Sequence, residues 1–199
     1  MERQTRSTIF LSLLAVVIAA FAYEMQTAAS DSQPDAFMWD SLKSLALVQE
    51  GSDHPDHILY AVVDPNCPYC HELWSTMQKR YASGKLQVRY ILVGTLTTTS
   101  RDKAATILES AQPVTAFDLN ERSWGQLRDD SGGGMAPSRK PSEATLKAVD
   151  ANERLVSSLG IEGTPALIFV DYKHKLHVTQ GYGSPAMLDQ VINSASAAN

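Results

Sequence analysis

The chain has 199 residues, of which 44% are hydrophobic, and this is enough for one domain with a substantial core. Its formal net charge is −5 at pH 7, and no cluster of basic residues interrupts the mildly acidic balance. This charge argues against nucleic acid as a partner.

The N-terminal segment has the features of an export signal. Arg3 and Arg6 precede an apolar run that extends to about residue 23, and the triplet AFA at residues 20–22 fits the small-x-small pattern of a cleavage site. We therefore predict a signal peptide at residues 1–22 and export of the domain that follows. Retention of this segment as an inner-membrane anchor is the alternative.

The next elements follow from composition and from the spacing of apolar residues. Residues 23–36 are small and polar, and we predict a flexible tether there. Apolar residues spaced three or four apart predict a helix over residues 37–50. The apolar, β-branched run at residues 58–63 predicts a buried strand, which ends where Asp64 and Pro65 begin a turn.

Both cysteines of the chain follow that strand, in the segment Cys67-Pro68-Tyr69-Cys70-His71. Apolar residues then recur at helical spacing, and Pro68 suits the first turn of a helix, where a missing N–H costs nothing. Cys67 is therefore predicted at a helix N-terminus, facing unpaired N–H groups and the positive end of the helix dipole. This setting favours the thiolate, which is the reacting form of cysteine.

The remainder of the chain completes an α/β pattern. A strand at residues 86–93 closes a βαβ unit with the CxxC pair at its first crossover, which is typical of thioredoxin-like redox proteins. Residues 98–160 are predicted to be a mainly helical insertion. Strands at 166–170 and 176–180 follow, and then a closing helix capped by Ser184. The predicted fold is thioredoxin-like, with a helical insertion between the βαβ unit and the C-terminal β-hairpin plus helix.

A proline stands immediately before the strand at residues 166–170, which is an unusual position for a central strand. We predict that the peptide bond between Thr164 and Pro165 is cis. Such a bond leaves neighbouring backbone groups free to pair with an extended substrate beside the cysteines. An ordinary trans proline at the start of the strand is the alternative.

Together these features resemble the periplasmic thiol:disulfide interchange proteins of the DsbG and DsbC type, and DsbG more closely. The resemblance extends from about residue 38 to the C-terminus. It implies that Cys67 is the nucleophile, that Cys70 is the resolving cysteine, and that Thr164 and Pro165 bind the substrate. The matching motifs are D-P-x-C-P-Y-C at residues 64–70, S-G-K-x-Q-x-R at 83–89, L-V-G at 92–94 and T-P-A at 164–166.

The resemblance implies a periplasmic thiol-disulfide oxidoreductase that needs no cofactor or metal. It would reduce, oxidise or rearrange disulfides, or reduce sulfenic acids, in exported proteins, with a membrane redox partner. Pro68 and Tyr69 are expected to modulate access to the cysteines. His71, four residues after Cys67, is expected to stabilise the thiolate when protonated, with a surface histidine of no role as the alternative. The sequence does not determine the direction of the reaction.

Two features depart from the family pattern. Only about 15 residues separate the predicted signal peptide from the linker helix, which is too few for the family's N-terminal dimerisation domain, so we expect a monomer. Thioredoxins carry a buried acidic residue six positions before the first cysteine, and this position is Ala61 here. No carboxylate at that position is therefore available to shuttle protons for Cys70.

Two other functional classes are compatible with the motifs. Residues 67–71 match C-x-x-C-H, the attachment signature of c-type haem, in which His71 would be the axial ligand. A non-catalytic module that binds peptides along the edge at Pro165 is the other alternative. A structural zinc site is disfavoured, because no second CxxC or pair of histidines supplies four ligands.

Overall fold

The computed structural model describes residues 35–127 and 132–197. The signal peptide predicted at residues 1–22 lies outside the described residues, as does nearly all of the predicted tether. The tether was predicted to end at residue 36, but residues 35 and 36 already belong to a helix. In the part of the chain that is described, no helix is long and apolar enough to cross a membrane.

The centre of the domain is a five-stranded sheet with the strand order β1-β3-β2-β4-β5. The strands β2 and β3 are parallel, and the other three neighbouring pairs are antiparallel. This mixed pairing confirms the predicted βαβ unit followed by a β-hairpin. The strands are β1 (Leu47–Gly51), β2 (His57–Val63), β3 (Leu86–Leu92), β4 (Ala166–Val170) and β5 (Leu176–Gln180).

Helices pack on both faces of this sheet. Three of them, α3 to α5, lie between β3 and β4, so they form the predicted helical insertion. The described part of α1 comprises residues 35–42. The others are α2 (Pro68–Gln78), α3 (Ser100–Leu108), α4 (Pro113–Arg122), α5 (Glu143–Ser158) and α6 (Pro185–Ser194), with a short 3-10 helix at Tyr81–Ser83.

The central strand β2 is buried on both faces, which positions its carboxyl end firmly. Alternate side chains point to opposite faces of a strand. One set packs in a cluster with α2, α3, α4 and α6, and the other packs in a cluster with α1 and the C-terminal part of α5. The CxxC segment follows this strand directly. The first set is Leu59, Ala61 and Val63, and the second is Ile58, Tyr60 and Val62.

The prediction of a helix over residues 37–50 was wrong for the second half of that range. Helix α1 ends at residue 42, and Leu47–Gly51 form the edge strand β1, which is antiparallel to β3. Leu45 and Val48 continue the helical spacing, but Val48 lies in the strand and is buried. Hydrogen bonding to the open edge of β3 is a tertiary contact, and here it outweighs the local helical pattern.

Candidate active site

Cys67 lies at the N-terminus of α2, as predicted. It is the N-cap residue, and Pro68 occupies the first turn of the helix. The Sγ atom of Cys67 accepts a hydrogen bond from the backbone N–H of Cys70, with 3.4 Å between sulfur and nitrogen. This bond uses one of the N–H groups that a helix N-terminus leaves unpaired. The sulfur therefore lies where the helix dipole favours a negative charge.

The peptide bond between Thr164 and Pro165 is cis, as predicted. The Sγ atom of Cys67 lies 3.5 Å from the carbonyl oxygen of Thr164, to which the thiol form of Cys67 can donate. This contact follows from the sheet, because β4 pairs with β2 and Ala166 lies opposite Val62. The residues just before β4 are thereby brought beside the residues just after β2.

The two thiols have opposite environments. The hydrogen bond from the Cys70 thiol is the largest of the effects that lower the pKa of Cys67 from an ordinary value of 9.0 to about 6, against the opposing effect of burial. Hydrogen bonds from Thr164 and from backbone N–H groups add to this lowering. Burial raises the pKa of Cys70 well above its ordinary value, and the Cys67 sulfur raises it further. At neutral pH Cys67 is therefore a thiolate and Cys70 a thiol.

Access to this pair is restricted. Both cysteines are free thiols and are almost completely buried, with exposed fractions of 3% for Cys67 and 2% for Cys70. Tyr69, between them, is 60% exposed. Pro68 is exposed as well, so the two residues between the cysteines are exposed while both sulfur-bearing residues are buried.

The turn before Cys67 is held by Asp64, which is completely buried. Its Oδ1 atom accepts hydrogen bonds from the Asn66 N–H at 2.9 Å and from the Ser100 hydroxyl at 2.7 Å. Its Oδ2 atom accepts from the N–H groups of Thr95 and Leu96, each at 2.9 Å. These bonds connect the end of β2 to the loop between β3 and α3.

The ring of His71 is directed toward α4. Its Nδ1 atom lies 3.1 Å from Oε2 of Glu121, and the ring stacks on Trp124 with 4.8 Å between the ring centroids. Glu121 is 1% exposed, and burial raises its pKa, while the hydrogen bond to His71 opposes that rise. The structure thus gives the imidazole a partner on α4, while the backbone N–H of His71 donates to the Cys67 carbonyl oxygen at 3.1 Å.

Two buried charged residues behind the cysteines were not predicted from the sequence. Lys103 on α3 and Glu121 on α4 are 0% and 1% exposed. A signal for each was present in the spacing: Lys103 is four residues before Ile107, and Glu121 is four residues after Phe117. Each charge therefore falls on the apolar face of its helix, which indicates a buried polar group.

Comparison with protein families and known proteins agrees with the fold. A family model described as a thioredoxin-like domain matches residues 45–196. The thiol:disulfide interchange proteins DsbG of Pseudomonas aeruginosa and of Escherichia coli are both 29% identical to this chain, over 155 and 157 residues. These alignments cover 78% and 79% of this chain, but 58% and 61% of the two relatives. The chain thus spans less than two thirds of their length, and the resemblance to DsbG is confirmed.

Solved structures share the same fold. A periplasmic thioredoxin-like protein from Salmonella enterica serovar Typhimurium superposes with a TM-score of 0.62 at 22% identity, covering 79% of this chain and 94% of that one. The compact conformation of ScsC from Proteus mirabilis gives a TM-score of 0.64 at 17% identity, covering 96% of both chains. At such identities the likeness concerns the fold alone.

Proposed function

Because the chain belongs to the thioredoxin-like domain family, we propose that it is a thiol-disulfide oxidoreductase of exported proteins, acting in the periplasm. The observation that carries the proposal is the environment of Cys67: its sulfur caps α2 and contacts Thr164, next to the cis peptide bond of Pro165. The names of the two DsbG relatives, which are thiol:disulfide interchange proteins, support the same activity.

The proposed reaction begins with the Cys67 thiolate. In the reduced enzyme it attacks one sulfur of a substrate disulfide, so that a bond forms to that sulfur while the other substrate sulfur leaves as a thiolate. Cys70 then gives its proton to the substrate thiolate released first and attacks the Cys67 sulfur. This forms the Cys67–Cys70 disulfide and releases the second substrate thiolate, so that two electrons pass from enzyme to substrate. The oxidised enzyme runs the same steps in reverse.

A sulfenic acid can replace the disulfide as the oxidised substrate. The Cys67 thiolate then attacks the sulfenic sulfur, and the hydroxyl group leaves as water after it takes up a proton. Cys70 resolves the mixed disulfide as before. Whether the enzyme reduces, oxidises or rearranges disulfides is decided by the redox partner that resets the pair, and we expect that partner in the membrane.

The neighbouring residues are proposed to hold and orient the substrate. Thr164 and Pro165 offer backbone groups beside the nucleophile, with which an extended substrate segment can pair. Tyr69 and Pro68 shape the approach to Cys67, since the exposed ring stands between the two cysteines and the proline fixes the first turn of α2. We propose that the protein acts as a monomer.

The geometry favours the dithiol over the haem alternative. An axial ligand role would require His71 to turn its ring toward an iron, but the ring is bonded to Glu121 and stacked on Trp124. A Soret band in the purified protein would support the cytochrome. Loss of redox activity in Cys67→Ser with retained peptide binding would show that the surface at Pro165 also functions without catalysis.

The proposal is tested by trapping the mixed disulfide. The Cys70→Ser protein, incubated with oxidised glutathione, should retain one glutathione on Cys67, because the resolving thiol is absent. The Cys67→Ser protein should react far more slowly, since the pKa of Cys70 is raised. Equal capture of glutathione by both variants would contradict the assignment of the nucleophile.

The direction of the reaction needs a separate measurement in cells. Acid quenching followed by alkylation traps the state of the cysteines in the periplasm. A predominantly reduced pair would assign the protein to reductases or isomerases. A predominantly oxidised pair would assign it to oxidases.

A further inference from the structure

Lys103 on α3 is a charged residue without contact to solvent, with an exposed fraction of 0%. Its Nζ atom donates to Oδ1 of Asn66 at 2.7 Å and to the carbonyl oxygen of Gly133 at 2.6 Å. Burying an ammonium group is costly, and an apolar side chain of similar length would fill the same space at lower cost. Core packing alone therefore does not account for a lysine here.

Asn66, one of the two acceptors, immediately precedes the nucleophile. Its Nδ2 atom donates to the hydroxyl oxygens of Thr97 at 2.8 Å and Thr99 at 2.9 Å, while its Oδ1 atom accepts from Lys103. Both polar atoms of the amide are therefore engaged. Because Asn66 and Cys67 share a peptide bond, the amide network also restricts the position of the helix N-cap.

Gly133, the other acceptor, belongs to a glycine segment, Gly132–Gly134, that packs on the same turn. The N–H of Gly133 donates to the carbonyl oxygen of Pro65 at 3.1 Å. A Cβ atom at Gly132 would collide with the Asn66 side chain. The buried Nζ atom of Lys103 is thus hydrogen-bonded both to the glycine segment and to the turn before Cys67.

Other charged groups surround this point. Glu121 on α4 interacts electrostatically with Lys103 and is bonded to His71 on α2. The carboxylate of Asp64 is bonded to the Asn66 N–H. Without the ammonium group, buried carboxyl groups would remain behind the first turn of α2, and negative charge there disfavours a thiolate.

We propose that Lys103 is a positioning residue for the Cys67 nucleophile. It fixes Asn66 and the glycine segment beneath the first turn of α2, and its charge offsets the buried carboxyl groups, so that Cys67 remains reactive at neutral pH. This inference rests on the proposed function, because it takes Cys67 as the attacking residue.

The test is the pH dependence of Cys67 alkylation in the Lys103→Met protein. Iodoacetamide is applied to the reduced full chain, and the modified peptides are quantified by mass spectrometry. We expect the midpoint of the rate profile to rise by about one pH unit, and the rate at pH 6 to fall about fivefold. A matched control is Lys147→Met, because Lys147 is an exposed lysine paired with Glu143 and should leave the profile unchanged.

A second variant separates the effect on Cys67 from an effect on folding. Lys103→Gln keeps an N–H donor, now in an amide, and loses the charge. The alkylation midpoint of Cys67 should rise in this variant as well. Urea unfolding shows whether each variant is folded. A folded variant with the wild-type profile overturns the proposal, and failure of both variants to fold does the same by assigning Lys103 to stability alone. If Cys67 is no faster than Cys70 in the wild-type protein, the proposed function itself fails.

Discussion

The sulfur of Cys67 lies 3.5 Å from the carbonyl oxygen of Thr164, although the two residues are 97 positions apart in sequence. The pairing of β2 with β4 brings them together, because one strand leads into the CxxC segment and the other begins directly after the cis proline. The environment of Cys67 therefore depends on two distant segments of the chain, and each can be changed separately.

The two cysteines should differ strongly in reactivity. Because the pKa of Cys67 is lowered to about 6, its alkylation by iodoacetamide should rise with pH around that value. Cys70 should react slowly over the same range, since burial raises its pKa. Timed alkylation with peptide mass mapping measures both rates. In urea the two cysteines should react alike, and equal rates in the folded protein would contradict this expectation.

Thr164 should contribute to the low pKa of Cys67. The Thr164 side chain is one of the groups that lower that pKa, and Thr164→Val removes its hydroxyl group while keeping its shape and the backbone carbonyl beside the sulfur. The alkylation midpoint of Cys67 should therefore rise by about half a pH unit.

A matched control for this change is Thr179→Val on β5. The Oγ1 atom of Thr179 is buried and has no hydrogen-bond partner among the described residues. This variant should leave the Cys67 midpoint unchanged and should not lower the stability. A shift of the midpoint in the control alone would rule out the role given to Thr164.

Glu50 on β1 should make stability depend on pH. Burial raises its pKa from 4.5 to about 7, against the hydrogen bond from Gln78. Because the folded-state pKa lies above the unfolded-state value, the free energy of unfolding should fall as the pH rises through this window, by up to about 3 kcal/mol. Glu50→Gln should reduce this decline, and Glu121, whose pKa burial also raises, contributes to the part that remains. Urea unfolding at several pH values measures the effect, on the oxidised protein in which Cys67 does not titrate.

The control for Glu50 is Glu72→Gln, which changes an exposed carboxylate on α2. It should retain the wild-type decline of the unfolding free energy with pH. If Glu50→Gln declines as the wild-type protein does, then another group is responsible for the pH dependence.

His71 and Glu121 should be coupled energetically. His71→Ala leaves a buried carboxyl group without its imidazole partner, so the free energy of unfolding should fall by about 1–3 kcal/mol. A double-mutant cycle with Glu121→Gln should give a coupling energy of about 1 kcal/mol. Additive effects in this cycle would show that the contact contributes nothing. The role of His71 in stabilising the Cys67 thiolate stays a prediction. Alkylation of Cys67 in the His71→Ala protein tests it separately.

The CxxC segment was predictable because its signals are local. Each signal is contained in a short stretch of chain. The signals are the β-branched run at residues 58–63, the proline after Cys67 and the helical spacing that follows. Local helical spacing also led to a wrong prediction of helix at residues 47–51, which form β1. Pairing with β3 is a contact between segments some 40 positions apart, and no apolar period along the chain records it.

The sequence by itself determined where the candidate active site lies, since two cysteines at the start of a helix and a Thr-Pro pair before a strand are features of short stretches of chain. Only the tertiary structure decided which groups surround those cysteines. Lys103 and Glu121 come from the helical insertion and reach the active site through side-chain contacts over 37 and 50 positions. Such contacts depend on how helices pack against a sheet, and packing is a property of the whole folded chain.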